Sequence, residues 1–180
     1  MTGLALDEWN ADPAGIGPLA EVLHAAVHAG ASVGFVLPFP PEEARGFWRD
    51  RVRPAVDNGS RRVLIARLDG RVVGTVQLIL DMFPNQRHRA EVAKLLVHPD
   101  ARRQGIARAL MAAVEELARA EGRTLLTLDT RTGDCAEPLY ISMGYLAAGI
   151  IPGYARSPAS AALDSTTIMY KTLAIMADSR

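Results

Sequence analysis

A strand that runs through a short basic turn into a long helix is the segment of this sequence best suited to bind a ligand. It reads AEVAKLLVHPDARRQGIARALMAAVEEL and covers residues 90–117. Gly105 and Ala107 are small enough for backbone amides to approach a ligand closely, at a helix N-terminus whose unpaired donors favour phosphate oxygens. The turn therefore predicts a pyrophosphate site, although glycine at such a turn also serves simply to bend the chain. Three arginines add positive charge: Arg102, Arg103 and Arg108.

Two carboxylates stand where they could take up a proton from a substrate. Glu91 begins the strand before the turn, and Asp129 ends the apolar strand LLTL at the sheet edge where open α/β arrangements bind ligands. Either is a candidate general base, and Asp129 could instead hold a substrate ammonium group. Simpler roles stay open, namely an ion pair at a strand end for Glu91 and a turn cap for Asp129.

Other reactive side chains favour neither a covalent intermediate nor a metal site. Cys135 lies near the start of a helix, but no histidine is close in sequence to activate it. His24 and His28 are one helical turn apart, yet Ala25 follows His24, so the HExxH pattern with its glutamate is missing. We therefore expect no metal and no cysteine nucleophile.

Apolar periodicity and turn residues predict the elements that position these groups. Asp12-Pro13 is typical of a helix start, and Asp69-Gly70 predicts a tight hairpin. Helices are predicted at 13–29, 41–56, 105–121 and 136–143. Strands are predicted at 4–9, 63–68, 72–80, 91–98, 125–128, 145–151 and 166–172, with loops at 81–88 and before the last strand. The order indicates one domain over residues 1–180 of the α/β (α+β) class, a twisted mixed sheet of about seven strands flanked by about four helices.

Composition narrows the range of partners and of cellular locations. The 20 Lys and Arg balance 20 Asp and Glu, so no basic field exists to bind nucleic acid or an anionic membrane. The longest nearly apolar run, 72–80, is far shorter than a bilayer requires. The single cysteine cannot form an internal disulfide, and no basic residue precedes Arg45 to begin a signal peptide, so we expect a cytoplasmic protein.

The basic turn also carries a family resemblance. Residues 102–107, RRQGIA, resemble the Q/R-x-x-G-x-G/A signature of the GCN5-related N-acetyltransferases (GNAT), and the long helix, next strand and tyrosine follow in that family's order. Within the family, the chain most resembles the tabtoxin-resistance acetyltransferases, which acetylate a small β-lactam amino acid. The strings that carry this closer resemblance are GASVGF (30–35), RAEVAKLLV (89–97), LLTLDT (125–130), PGYA (152–155) and KTL (171–173), whereas 40–60 and 81–88 match poorly.

The resemblance implies that acetyl-coenzyme A lies where the strand at 91–97 parts from the strand at 124–129. The implied cofactor-binding residues are Leu95, Leu96 and Val97 along the pantetheine arm, and Arg102, Arg103, Gln104, Gly105, Ile106, Ala107 and Arg108 at the pyrophosphate. Tyr140 corresponds to the family's general acid, although a packed aromatic is the simpler interpretation. Acceptor contacts are implied for His28 and Ser32 at the GASVGF loop and for Tyr154 of PGYA, although a plain surface loop is equally compatible with PGYA.

The function expected from this resemblance is direct acetyl transfer to the amine of a small molecule, with Glu91 or Asp129 as base. A backbone amide near Leu96 or Val97 would polarise the thioester carbonyl. Two alternatives stay open: an acetyltransferase acting on protein N-termini or lysines, and a coenzyme A-binding module without catalysis. A homodimer is expected by resemblance alone.

Overall fold

The computed structural model describes residues 3–174, which form one sheet of seven strands flanked by helices. The strand order is β1-β2-β3-β4-β5-β7-β6. The strands are β1 Leu4–Glu8, β2 Arg61–Leu68, β3 Arg71–Ile79, β4 Arg89–Val97, β5 Leu125–Arg131, β6 Leu146–Arg156 and β7 Leu163–Thr172. All neighbouring pairs are antiparallel except β4 and β5, which are parallel. The predicted mixed sheet of about seven strands is confirmed.

The helices occupy the four predicted regions, and the second region is divided. The α-helices are α1 Ile16–His28, α2 Pro41–Gly46, α3 Arg53–Asp57, α4 Ile106–Ala120 and α5 Glu137–Ser142. Between α2 and α3, Phe47–Val52 is π-helical, and the Arg53 amide donates to the Trp48 carbonyl five residues back. Pro54 has no amide to continue the α-helical pattern, which accounts for the change at this position.

The helices pack on opposite faces of the sheet and bury separate apolar clusters. Leu23 of α1 and Trp48 pack with Ile65 of β2 on one face. Leu110 of α4 packs with Leu126 of β5 on the other. Within residues 3–174, no helix is long and apolar enough to cross a membrane.

The parallel strands β4 and β5 pair over only three positions. Arg89, Ala90 and Glu91 face Leu125, Leu126 and Thr127, respectively. Beyond this point β4 continues to Val97 beside β3, whereas β5 continues to Arg131 beside β7. The two strands therefore part at Glu91, which confirms the predicted splayed pair.

The end of the sheet nearest the C-terminus differs from the prediction. The PGYA segment, residues 152–155, belongs to β6 and not to a loop, and the connection to β7 covers 157–162. The ladder is irregular there, because Ile151 pairs with Thr166 while Ala155 pairs with Asp164, leaving three β6 residues opposite one of β7. Pro152 and Gly153 fit such a bulge although they disfavour a regular strand.

Candidate active site

A cleft of about 1050 Å³ opens where β4 and β5 part. Its walls come from residues 91–97 of β4, 129–131 of β5, the start of α4 and the loop after α1. Residues from β6 and β7 close a further side. The cleft therefore combines segments that are distant in sequence at the point where the pairing of β4 with β5 ends.

The turn before α4 has the geometry of an anion site. Gly105 precedes the helix with φ of 78°, and no side-chain hydrogen bond caps the helix. A Cβ at Gly105 would meet nothing within 4 Å, so its surroundings are open to a ligand. The first amides of α4 therefore face the cleft without a capping side chain, and the helix dipole favours an anion there.

Most of the predicted cofactor-binding residues line this cleft. Leu95, Leu96 and Val97 do so from β4, and Arg102, Arg103, Gly105, Ile106, Ala107 and Arg108 from the turn and helix. Gln104 of the signature is exposed and does not line the cleft. The Arg108 guanidinium donates to the Ser142 hydroxyl at 2.7 Å, which ties α4 to α5.

Glu91 and Asp129 project from the same face of the sheet. Their sequence neighbours Val92 and Leu128 pack in the cluster with α4, so alternation along the strands directs both carboxylates to the opposite face. Both line the cleft. Glu91 is half-buried, and Asp129 is exposed with its Oδ2 3.3 Å from the Thr166 hydroxyl. Asp129 lies within β5 opposite Ile168, so it is not placed as a turn cap.

Tyr140 is buried at the cleft wall, 7% exposed, on the short helix α5. Burial, followed by the negative charge of Asp129, raises the pKa of its phenol above the ordinary value. Tyr140 therefore stays protonated and able to donate at neutral pH. The Tyr140 ring also contacts the Tyr145 ring, with centroids 5.8 Å apart. Tyr140 is therefore both a packed core aromatic and part of the cleft wall.

Lys94 lines the cleft although sequence reasoning did not single it out. On β4, Ala93 pairs with Gln77 and Leu96 pairs with Thr75, so Lys94 and Leu95 together oppose Val76 in a bulge. Lys94 has φ of 51°, a left-handed conformation unusual for a residue other than glycine. No sequence signal marks this bulge, because it arises from the register between β3 and β4.

The three acceptor-site candidates are placed differently. Ser32 and Tyr154 line the cleft. His28 does not: it is the last residue of α1, exposed, with Nδ1 3.0 Å from the His24 carbonyl and its ring against His24. The helix directs this imidazole back along its own axis, so the structure does not support the predicted acceptor contact of His28.

Cys135 has the wrong electrostatic setting for a nucleophile. Partial burial of the thiol, with the Asp134 carboxylate beside it, raises the thiol pKa. Little thiolate is then present at neutral pH. Among residues 3–174, no three His, Cys, Asp or Glu side chains are grouped to hold a metal ion.

The sequence model of the acetyltransferase (GNAT) family matches residues 23–145, a span that contains Glu91, the basic turn, Asp129 and Tyr140. The chain belongs to the GNAT acetyltransferase family. The predicted N-acetyltransferase activity and the predicted acetyl donor, acetyl-coenzyme A, are both confirmed. An uncharacterized N-acetyltransferase from the hisH-hisA intergenic region of Azospirillum brasilense is 37% identical over 123 residues, 67% of this chain and 70% of that protein.

Solved acetyltransferase structures share the fold. The yncA protein of Salmonella typhimurium, solved with its cofactor acetyl-coenzyme A, is 19% identical with a TM-score of 0.76, covering 98% of both chains. Ribosomal-protein-alanine N-acetyltransferase from Brucella melitensis is 24% identical with a TM-score of 0.74, covering 93% of this chain and 99% of that one. At these identities the likeness shows the fold alone.

Proposed function

We propose that this chain is a cytoplasmic, single-domain enzyme that transfers the acetyl group of acetyl-coenzyme A directly to the amine of a small molecule. The observation that carries the proposal is the cleft at the strand splay, which is lined at once by the anion-binding turn, two carboxylates and a protonated phenol. The single cysteine, Cys135, cannot form an internal disulfide, as suits a protein of a reducing compartment.

The turn and β4 would hold the donor. Amides at residues 105–108 are the proposed ligands of the pyrophosphate, with charge from Arg102 and Arg103. The backbone of residues 95–97 would accompany the pantetheine arm, since no neighbouring strand occupies its β5 side. Acetyl-coenzyme A supplies an activated thioester carbonyl.

The remaining groups would move protons. The amine nitrogen forms a bond to the acetyl carbon as the bond from carbon to sulfur breaks. Glu91 or Asp129 takes the proton that the nitrogen loses, and Tyr140 donates its phenolic proton to the leaving sulfur. The raised pKa of Tyr140 keeps its phenol protonated in the resting enzyme, so the hydroxyl can donate a hydrogen bond to the sulfur as negative charge develops there.

A small acceptor is favoured over a polypeptide because two connected segments border the acceptor side of the cleft. Residues 30–34 and Tyr154 line that side. The Leu37 amide donates to the Pro158 carbonyl at 2.8 Å, so the loop after α1 is tied to the β6–β7 connection. A protein substrate would need an open groove. Among small molecules, we propose an amino-acid-like or antibiotic-like amine as the acceptor, because the sequence resembles the tabtoxin-resistance acetyltransferases.

The test is thiol release from acetyl-coenzyme A across amines, amino acids, β-lactam amino acids and peptides. Acceptor-dependent release with a small molecule, and a much lower kcat/KM with peptides, would support the proposal. Preferred turnover of peptides would replace it with a protein acetyltransferase. Tight coenzyme binding without turnover of any amine would favour a binding module.

We also propose a homodimer, formed through the edge strand β6. Large apolar side chains are exposed along β6 and at the start of β7: Leu146, Ile150, Ile151, Tyr154 and Leu163. An exposed apolar edge is a surface that proteins usually cover. Sedimentation equilibrium tests this directly, and a monomer at micromolar concentration would contradict it.

A further inference from the structure

Lys94 carries a charge that the described protein does not pair. It is half-buried in the cleft wall, and no carboxylate of residues 3–174 lies within 4.0 Å of its ammonium. Placing an ammonium in a partly desolvated site costs free energy unless an anion compensates it. Consistently, burial lowers the pKa of Lys94, and the charges of Asp129 and Glu91 oppose this effect only in part.

The bulge in β4 directs Lys94 toward the acceptor side of the cleft. Its Nζ lies 6.0 Å from the ring centroid of Phe47 and 3.8 Å from where a Cβ would stand on Gly34. Phe47 follows α2, and Gly34 belongs to the loop after α1. Both are on the face of the sheet away from α4, whose N-terminus forms the anion-binding turn. The Lys94 charge is therefore separate from the turn proposed to hold the pyrophosphate.

The charges that face Lys94 come from three strands. Asp129 of β5 and Glu91 of β4 are negative, and Arg61 of β2 is positive. Arg61 does not line the cleft, because it turns to Gln77, whose Oε1 accepts from the guanidinium at 2.9 Å. Arg131 also lines the cleft, but it pairs with Asp134 at 3.2 Å and with Asp164 at 3.7 Å. Lys94 is therefore left to meet a ligand anion near Glu91 and Asp129, an arrangement complementary to an ammonium and a carboxylate on one small molecule.

We propose that Lys94 binds the carboxylate of the acceptor, and that the acceptor is an amino acid whose amine lies toward Glu91 and Asp129. This inference rests on the proposed function and specifies its substrate class. Lys94 acts here as a specificity residue: it holds the acceptor and takes no part in the proton transfers. An acceptor without a carboxylate would leave the Lys94 charge unpaired in the complex.

Paired acceptors test the inference. Each L-amino acid is compared with its α-amide, which keeps the amine and the side chain and removes only the negative charge, and free amines without a carboxylate are included. Acetylated products are measured with the full chain and acetyl-coenzyme A. We expect kcat/KM for the acid to exceed that for the amide by about tenfold or more, the size expected of one charge-assisted hydrogen bond.

Two variants test whether Lys94 causes the preference for acids over amides. Lys94→Met keeps the length of the side chain and removes its charge, so the preference should invert in favour of the amide, because Glu91 and Asp129 then repel a carboxylate. Lys94→Arg keeps the charge and should retain the preference for the acid. The change should fall on KM for acids more than on kcat.

The outcomes separate this inference from the function on which it rests. Acetyl transfer to amines with no preference for acids, or an unchanged preference in Lys94→Met, would overturn the role of Lys94 and leave the acetyltransferase intact. Transfer to no amine at all would overturn the proposed function, and this inference with it. Melting temperatures of both variants, measured alongside, exclude misfolding as the cause of a lost preference.

Discussion

Glu91 and Thr127 form the last pair between β4 and β5, and the cleft begins directly beyond them. A carboxylate at this position lies at the boundary between a continuous sheet and an open one. Glu91 is thus fixed by backbone pairing on one side and accessible to a ligand on the other. Few positions in the fold combine rigid placement with access in this way.

Replacing each carboxylate separately should identify the base. We expect Glu91→Gln to lower kcat/KM by about 100-fold or more, in the range typical of a general base. Asp129→Asn should cost less, because Asp129 is exposed and already close to the Thr166 hydroxyl. Steady-state thiol release with acetyl-coenzyme A measures both. The opposite ranking would assign the base to Asp129.

Tyr140→Phe should lower kcat by about 100-fold while leaving coenzyme affinity within a few fold, because only the proton donor is removed. Tyr145→Phe is the matched control. Tyr145 is also buried and its pKa is also raised, but it does not line the cleft. We expect the control to keep full activity. Equal losses in the two variants would indicate a packing effect and contradict the acid role.

Two glycines at opposite ends of α4 separate backbone strain from ligand binding. Gly105 has φ of 78° and Gly122 has φ of 68°, and a Cβ at either would meet nothing within 4 Å. Alanine at each should therefore cost a similar free energy of unfolding, about 1 kcal/mol. Only Gly105→Ala should weaken coenzyme A binding, by about tenfold or more, because its Cβ keeps the phosphates away from the amides. Calorimetric titration of both variants checks this, and equal affinities would contradict the proposed pyrophosphate site.

Lysine-to-methionine changes at Lys94 and Lys171 should alter stability in opposite directions. Lys171 Nζ lies 2.6 Å from Glu115 Oε2 and 2.7 Å from the Met143 carbonyl, and Glu115 is buried. Removing this lysine should cost about 3 kcal/mol, since it leaves a buried carboxylate with only Arg119, at 3.8 Å, for a partner. Lys94→Met should instead raise the melting temperature at neutral pH by about 2–4 °C, because an unpaired charge is removed.

The pH dependence provides a further check on Lys94. Folding lowers the pKa of Lys94 below its ordinary 10.5, so the unfolded chain binds more protons between the two values. The free energy of unfolding of the wild type therefore rises with pH through that window, and the advantage of Lys94→Met should disappear as pH approaches 10.5. Thermal unfolding from pH 7 to pH 10.5 measures this, and a constant difference would mean that Lys94 is not destabilised by its charge.

Sequence by itself was enough for the features that depend on neighbouring residues. The hairpin at Asp69 and Gly70 has φ of 50° and 83° at its two central residues, as the dipeptide predicts. Helix α4 and the left-handed Gly105 before it follow from an apolar stripe and a glycine at a fixed offset. The family signature lies within this same local segment, which is why fold and reaction could be predicted together.

Only the tertiary structure decided the features that depend on strand register and on packing between distant elements. Lys94 enters the cleft only because β4 bulges against β3, and PGYA is part of β6 because pairing with β7 resumes at Ala155 after the bulge. His28 is at helical spacing from His24, yet the orientation of α1 keeps it out of the cleft. Hydrophobic periodicity and turn propensity depend on residues only a few positions apart, so they can be predicted from the sequence alone. Register and burial result from contacts between residues far apart in the chain, and only the assembled sheet brings Glu91, Lys94 and Asp129 to one face.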